Sequence, residues 1–243
     1  VDGPDELPAT HLPKNCYDCM FYNCKKLENA PAMPTTPTTV ESNCCSAMFG
    51  NCISMTTGPS ILPATILAES CYARMFAYCT SLATAPELPA TTLAKSCYNG
   101  MFINCSSLVN IPQRLPAQTL KEYCYCNMFS GCTSLTVAPE LPATKLAGNC
   151  YKSMFEGCTS LATAPILPAQ TLTKMCYNGM LRGCTSMNSI TCLATDISAN
   201  NCTFAWVTDV ASSGTFYKNP NMTGWTTGVD GIPSGWQIID YQF

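Results

Sequence analysis

The stretch CYNGMFINCSSL, residues 97–108, has near-copies six more times along the chain. Residues 71–82 read CYARMFAYCTSL, and residues 150–161 read CYKSMFEGCTSL. Each copy places two cysteines eight residues apart, with Met-Phe or a similar pair between them. The chain is therefore built from an internal repeat, and the properties of that repeat decide the fold.

The repeat unit has a regular length and a fixed order of residues. Its first cysteine recurs every 26 to 28 residues, and an incomplete eighth copy runs from about Leu193 to Cys202. A leucine or methionine follows the second cysteine by three residues, and a Leu-Pro pair such as Leu88-Pro89 comes later. This period is typical of leucine-rich repeat solenoids. The first cysteines are Cys16, Cys44, Cys71, Cys97, Cys124, Cys150 and Cys176.

Two segments of the unit suggest secondary structure. The stretch LATAP, residues 82–86, predicts a strand of three or four residues, because Pro86 has no N–H to donate to a neighbour. The stretch from Thr91 to Cys105 predicts a helix of two to three turns, with Thr91 or Thr92 as its N-cap and one apolar face. Gly or Asn before the second cysteine, as at Asn104, predicts a left-handed residue at the helix end. The apolar face comprises Leu93, Cys97, Met101, Phe102 and Cys105.

We therefore predict an α/β fold. It is a leucine-rich repeat solenoid with very short parallel strands, short helices on the opposite face, and about seven full repeats of 26–28 residues. The predicted division of the chain is a remnant of a preceding strand or a tail in residues 1–6, a repeat array in residues 7–207, and a C-terminal cap in residues 208–243. Short strands are expected near Thr215–Tyr217 and Trp236–Tyr241 of the cap.

The 19 cysteines suggest a buried, mostly reduced ladder. On a helix the two cysteines of one unit would lie about 12 Å apart, beyond the roughly 7 Å between Cα atoms that a disulfide allows. Bridges between adjacent units remain an alternative. A metal site would have to use Cys16-Tyr-Asp-Cys19 with Cys24, or Cys124-Tyr-Cys126, and neither completes a four-thiolate set. We expect no metal and no cofactor.

Composition narrows the function. Charged residues make up 11% of the chain and the net charge is −3, without a basic block that would suit nucleic acid. A single histidine, His11, removes most Ser-His-Asp and Cys-His schemes. No apolar run approaches the roughly 18 residues that would cross a membrane. We expect no catalytic residues, no enzyme activity, no nucleic-acid partner and no transmembrane segment.

The pattern M-F-x-x-C-x-x-L-x-x-A-P-x-L-P resembles the BspA-like, or Treponema-type, leucine-rich repeats, as found in surface proteins of gut Bacteroides. Phe76, Cys79 and Leu82 match the family pattern, whereas Met75 replaces its alanine and Cys71 stands where Ile is frequent. The resemblance covers residues 7 to about 207. It implies an exported protein of the bacterial cell surface, lipid-anchored through a segment upstream of Val1, that takes part in adhesion or binds host or matrix proteins.

These observations predict a binding scaffold that presents an extended solenoid face to a protein partner. Its candidate binding residues are the polar positions of the strands and turns, Thr84, Asn110, Gln113, Thr136 and Thr163. The alternative is a carbohydrate-binding surface protein, in which Trp225 and Trp236 form an aromatic platform for sugar rings. The same two tryptophans could instead cover the last repeat.

Overall fold

The structure is a computed structural model that describes residues 4–5, 7, 9, 11–34 and 40–243. Each repeat unit forms one coil, and successive coils are joined by backbone hydrogen bonds, mostly between residues 25 to 28 positions apart. The N–H of Tyr98, for example, donates to the carbonyl oxygen of Cys124 at 3.0 Å. Equivalent bonds run from Asn15, in the first unit, to Thr208. The prediction of a repeat solenoid is confirmed.

The stretch around the two cysteines of each unit forms what we call the turn ribbon, the ten residues from the one before the first cysteine to the second cysteine. Its amides alternate between two kinds of acceptor. The N–H of Met101 donates to the carbonyl of Tyr98, three residues earlier in the same coil, at 3.2 Å. The N–H of Phe102 donates to the carbonyl of Met128 in the next coil at 2.9 Å. The ribbon is thus a row of β-turns that also pairs with its neighbour.

Every fourth residue of the turn ribbon is left-handed. In the fourth unit these residues are Ser96, Gly100 and Asn104, with φ of 55°, 60° and 59°. A positive φ at the third position of a turn is the mark of type II geometry, for which Gly and Asn are suited. The predicted left-handed residue before the second cysteine is confirmed, and even Tyr78 adopts this conformation, with φ of 62°.

The prediction of helices is wrong. The described residues contain no helix, and the segments predicted to be helical form the turn ribbons. In an α-helix every interior N–H bonds to the carbonyl four residues earlier, so none would be left to join the next coil. The ribbon keeps half of its amides for the neighbouring coil. An apolar period of four residues also drifts by about 40° per step around a helix, whereas the ribbon repeats with a period of four.

The interior is made of side-chain columns that run along the solenoid. In the fourth unit the ribbon turns two adjacent pairs inward, Cys97-Tyr98 and Met101-Phe102, and these four side chains are all at most 1% exposed. The phenylalanine rings of successive coils stack with centroids 5.4–5.8 Å apart from Phe21 to Phe155. Because each residue type meets its own kind in the next coil, only register-matched stacking buries the whole set.

The rest of each coil is joined to its neighbours by isolated parallel bridges at three places, of which Thr84↔Asn110, Ile61↔Glu87 and Ile66↔Thr92 are examples. The predicted strands of the internal repeats are thus shorter than expected. Strands of four residues occur only towards the C-terminal end of the described residues, where they form one parallel sheet of order β1-β2-β3. They are β1 (Ser189–Cys192), β2 (Thr215–Lys218) and β3 (Gln237–Asp240).

Residues 208–243 form the C-terminal segment, which covers the last coil. The strands predicted near Thr215–Tyr217 and Trp236–Tyr241 are present as β2 and β3. Trp206, which is fully buried, stacks on Trp225 at 5.6 Å and donates its indole N–H to the carbonyl of Gly231 at 2.8 Å. We interpret this segment as the cap. Of the tail predicted for residues 1–6, positions 1–3 and 6 lie outside the described residues.

Candidate binding surfaces

The predicted polar binding residues lie on the outside of the solenoid, and the structure brings two of them together. Thr84 and Asn110 are paired by a parallel bridge, and the Asn110 amide donates to the Thr84 hydroxyl at 3.1 Å. Thr163 is exposed and bridges to Ser189, in line with the same row. Thr136 is also exposed. Thr84, Asn110 and Thr163 each lie two residues after a repeat leucine. In the unit between those of Asn110 and Thr163, the apolar Val137 holds this position.

Gln113 lies one corner further along the coil. Its side chain is exposed, and its carbonyl accepts the N–H of Glu140 in the next coil at 2.8 Å. Beside it, Arg114 and Glu140 form an ion pair at 3.8 Å. Both of these side chains are more than half exposed, so the pair contributes little to stability. The pair does place one positive and one negative side chain next to each other at this corner.

A shallow apolar groove lies between the fifth and sixth units, and we call it the proline groove. Its volume is about 340 Å³. Val137, 69% exposed, precedes the first lining residue in the chain, and Ile166, 48% exposed, is itself part of the wall. Large apolar side chains at this exposure are typical of contact surfaces. The groove is lined by Ala138, Pro139, Glu140, Leu141, Pro142, Pro165, Ile166 and Pro168.

One feature of the sequence could have indicated this groove, namely the residue that precedes the Leu-Pro pair of each unit. The residue before the Leu-Pro pair is Glu87, Arg114 or Glu140 in three successive units, whereas it is Ile61 in the unit before them and Ile166 in the unit after them. An isoleucine that replaces a charged residue at an exposed repeat position is a departure with no packing reason in the core. The depth of the groove could not be read from the sequence, because it depends on how adjacent coils are offset.

A second groove, between the third and fourth units, has a different character, and we call it the threonine groove. Its volume is about 390 Å³. Hydroxyl, amide and ammonium groups surround it, all on exposed residues, while Leu93 and Pro116 supply apolar surface. Sequence reasoning used Thr91 and Thr92 only as helix caps and missed this site. Its lining residues are Thr91, Thr92, Leu93, Pro116, Gln118, Thr119 and Lys121.

The two tryptophans of the predicted sugar platform are packed into the C-terminal segment. Trp236 is 6% exposed, and its indole N–H donates to the carbonyl of Ala211 at 2.8 Å. Trp225 is half-buried, with one face against Trp206 and its edge against Phe216. The indole nitrogen of Trp225 has no hydrogen-bond partner among the described residues. Their contacts are those of residues that cover a core.

The cysteines are free thiols, and all but Cys16, Cys19 and Cys24 are buried. Burial away from water raises the pKa of Cys105 to about 12 and that of Cys52 to about 11. A thiol with so high a pKa is protonated at neutral pH and is a poor nucleophile. Among the described residues, no three His, Cys, Asp or Glu side chains are grouped as metal ligands would be.

From the second unit onward, the second cysteine of the unit has a specific partner, the carbonyl of the phenylalanine in the previous coil. The thiol of Cys132 lies 3.2 Å from the carbonyl oxygen of Phe102, and that of Cys158 lies 3.1 Å from that of Phe129. A thiol can donate a weak hydrogen bond while occupying the volume of a small apolar side chain. These sulfur atoms are therefore parts of the core, which fits the predicted buried ladder.

Comparison with known proteins adds a likeness to solved structures. No protein-family model and no curated protein matches the chain. Three leucine-rich repeat structures are similar to it. The protein from T. pallidum is 15% identical, with a TM-score of 0.34, over 89% of this chain and 72% of that one.

The other two structures are also of leucine-rich proteins. A leucine-rich cell surface protein from Faecalibacterium prausnitzii is 17% identical, with a TM-score of 0.31, over 71% of this chain and 62% of that one. A leucine-rich repeat protein from Bacteroides ovatus is 13% identical, with a TM-score of 0.31, over 99% and 92%. At these identities and TM-scores the three structures say nothing about what this chain binds.

Proposed function

We propose that this chain is a non-enzymatic binding scaffold of the bacterial cell surface that presents its solenoid face to a protein partner from the host or its matrix. The observation that carries this proposal is the proline groove, where Val137 and Ile166 are exposed beside a wall that contains four prolines. Exposed apolar side chains on a rigid support lose little conformational entropy when a partner covers them. Such sites are where binding energy concentrates.

The chemistry of the titratable groups also favours binding over catalysis. His11, the single histidine, has a 63% exposed side chain that contacts Glu41 at 3.4 Å. It sits at one end of the described chain, far along the solenoid from both grooves. The buried thiols are held protonated, as the raised pKa values of Cys97 and Cys184, each about 12, illustrate.

In the described part of the chain no helix could cross a membrane.

The test is a binding assay on purified matrix proteins, with fibronectin, fibrinogen, laminin and collagen immobilised separately. Ile166→Glu and Val137→Glu each place a charge on the groove, and we expect at least a tenfold loss of affinity, because burying an unpaired carboxylate is costly. Ile61→Glu is the matched control, since Ile61 holds the position of Ile166 four units earlier and is 40% exposed.

Equal losses in Ile61→Glu and Ile166→Glu would contradict the assignment of the groove. Failure of the wild-type chain to bind any of the four proteins would count against a matrix partner. A second candidate function is carbohydrate binding, which the hydroxyl and amide groups of the threonine groove favour. A glycan array probed with the whole chain separates the two functions.

A further inference from the structure

We infer that the threonine groove is a binding site for a linear anionic saccharide, one that carries carboxylate or sulfate groups. This inference rests on the second candidate function, carbohydrate binding. It assigns the sugar site to the threonine groove and not to Trp225 and Trp236. The groove offers what a sugar needs, which is hydroxyl and amide groups from Thr92, Thr119 and Gln118 around apolar surface. Pockets of a few hundred Å³ with a few directed polar groups are typical ligand sites.

The argument for an anionic ligand begins with Lys121, which is exposed at the wall of the groove. Three further lysines lie on the same side of neighbouring coils, each within three residues of the same column of bridges. Lys145 is itself paired with Thr119, and Lys95 and Lys174 follow the bridge residues Thr92 and Thr171 by three positions. We call Lys95, Lys121, Lys145 and Lys174 the lysine row.

The lysine row keeps a small excess of positive charge over the acidic side chains around it. The acidic side chains on this side, between the second and seventh units, are Glu69, Glu122 and Asp196, of which Asp196 bridges to Thr171. None of the ion pairs seen among the described residues involves a lysine of the row. Four ammonium groups thus stand against three carboxylates, in a chain whose net charge is −3. A local positive field on a negative protein attracts anions to that place and repels them elsewhere.

The geometry of the row indicates a linear ligand. The lysines come from four successive coils, and paired backbones lie about 4.8 Å apart, so the row extends for roughly 15 Å along the solenoid. A chain of sugars with an acidic group at intervals could meet several ammonium groups at once. The groove would hold one ring, between Thr92 of one coil and Thr119 of the next, while the neighbouring anionic groups contact the row.

The test is titration calorimetry of the whole chain with three tetrasaccharides: tetragalacturonate, a sulfated heparin fragment and neutral maltotetraose. We expect an acidic tetrasaccharide to bind and the neutral one to bind at least tenfold more weakly. Lys121→Gln and Thr92→Val should each weaken acidic binding by about threefold to tenfold, as expected for one exposed charge or hydrogen bond. Raising the salt concentration should weaken it further. Preference between carboxylate and sulfate identifies the anionic group.

Lys152→Gln, which removes a lysine of the turn ribbon outside the row, is the matched control and should leave binding unchanged. All variants change half-buried or exposed residues, and an unchanged thermal midpoint verifies their folding. The inference is overturned if neither acidic tetrasaccharide binds, if the neutral one binds equally well, or if Lys152→Gln weakens binding as much as Lys121→Gln. Ile166→Glu should retain saccharide binding, so the protein-binding proposal and this one fail separately.

Discussion

The thiol of Cys105 lies 3.0 Å from the carbonyl oxygen of Phe76, in the coil before its own. The same carbonyl accepts the N–H of Cys79 within its coil at 3.1 Å. Both of its acceptor positions are therefore used, one by the turn and one by the next coil. The relationship recurs along the solenoid, in the pairs Cys52–Phe21, Cys79–Phe49, Cys132–Phe102, Cys158–Phe129 and Cys184–Phe155. Valine or alanine in this column would leave the second acceptor position of the carbonyl without a donor.

The first prediction concerns this bond. Cys105→Ala should lower the free energy of unfolding by about 1–3 kcal/mol, because it leaves a cavity and removes a donor from a buried carbonyl. Cys105→Ser keeps a donor and should lose less. Cys24→Ala changes the same column where the thiol is exposed and should change stability by less than about 0.5 kcal/mol. Urea unfolding under reducing conditions measures all three, and equal losses at Cys24 and Cys105 would contradict the account.

The second prediction concerns the left-handed positions. Gly131 has φ of 75°, and a Cβ placed there would collide with the Oδ1 of Asn104 in the previous coil. Gly131→Ala should therefore destabilise the protein by about 1–3 kcal/mol. Gly148, where a Cβ would come no closer than 3.6 Å to its neighbours, is the matched control. Gly148→Ala should be neutral or slightly stabilising. A thermal melt that ranks the two variants in the opposite order would refute the ribbon geometry.

Much of the solenoid could be predicted from the sequence, and the ribbon could not. The period, the inward columns and the left-handed residue at Asn104 follow from the spacing of cysteines and the choice of Gly or Asn. The helix prediction failed because an apolar period of four resembles the helical 3.6. What decides between them is bonding to the next coil, a tertiary effect that local propensity does not contain. Asn149, Ser153 and Gly157, spaced by four in one unit, were the available signal.

The grooves were beyond sequence reasoning for a related reason. Thr92 and Thr119 line one groove although they are far apart in the chain, since the coil offset brings them side by side. The five polar candidate residues lie on the outside, but nothing in their identity indicated which would border a cavity. Ile166 could have been noticed, like Ile61, as an exposed apolar residue in a column that also holds Glu87, Arg114 and Glu140. Its role in a wall needed coordinates.

The third prediction is that stability falls in alkali. Burial raises the pKa of Cys105, Cys176 and Cys192 to about 12 in the folded protein, against about 8.5 in an unfolded chain. The folded state thus holds protons that the unfolded state releases, so the stabilisation is complete below about pH 8.5 and is lost as pH rises towards 12. Thermal midpoints with a reducing agent should be flat from pH 6 to 8 and fall steadily above pH 9. The same midpoint at pH 10.5 as at pH 7 would rule this out.

The fourth prediction concerns chemical reactivity of the thiols. Cys19 and Cys24 are exposed and Cys16 is half-buried, whereas the other cysteines are buried. Brief treatment of the native protein with iodoacetamide should alkylate Cys19 and Cys24, label Cys16 more slowly, and spare the rest, since the reactive species is an accessible thiolate. Mass spectrometry of the digested protein reads the sites. After denaturation all 19 should react. Early labelling of Cys105 or Cys132 in native protein would show that the columns are not buried.

The central claim is that alternate amides of each turn ribbon bond to the next coil, and scalar couplings across hydrogen bonds test it directly by nuclear magnetic resonance. The account predicts couplings from the amide nitrogen of Tyr98 to the carbonyl carbon of Cys124, and from Phe102 to Met128. Met101 should couple instead to Tyr98, three residues back in its own coil. Couplings from these amides to carbonyls four residues earlier would mean that the segment is a helix and that the account is wrong.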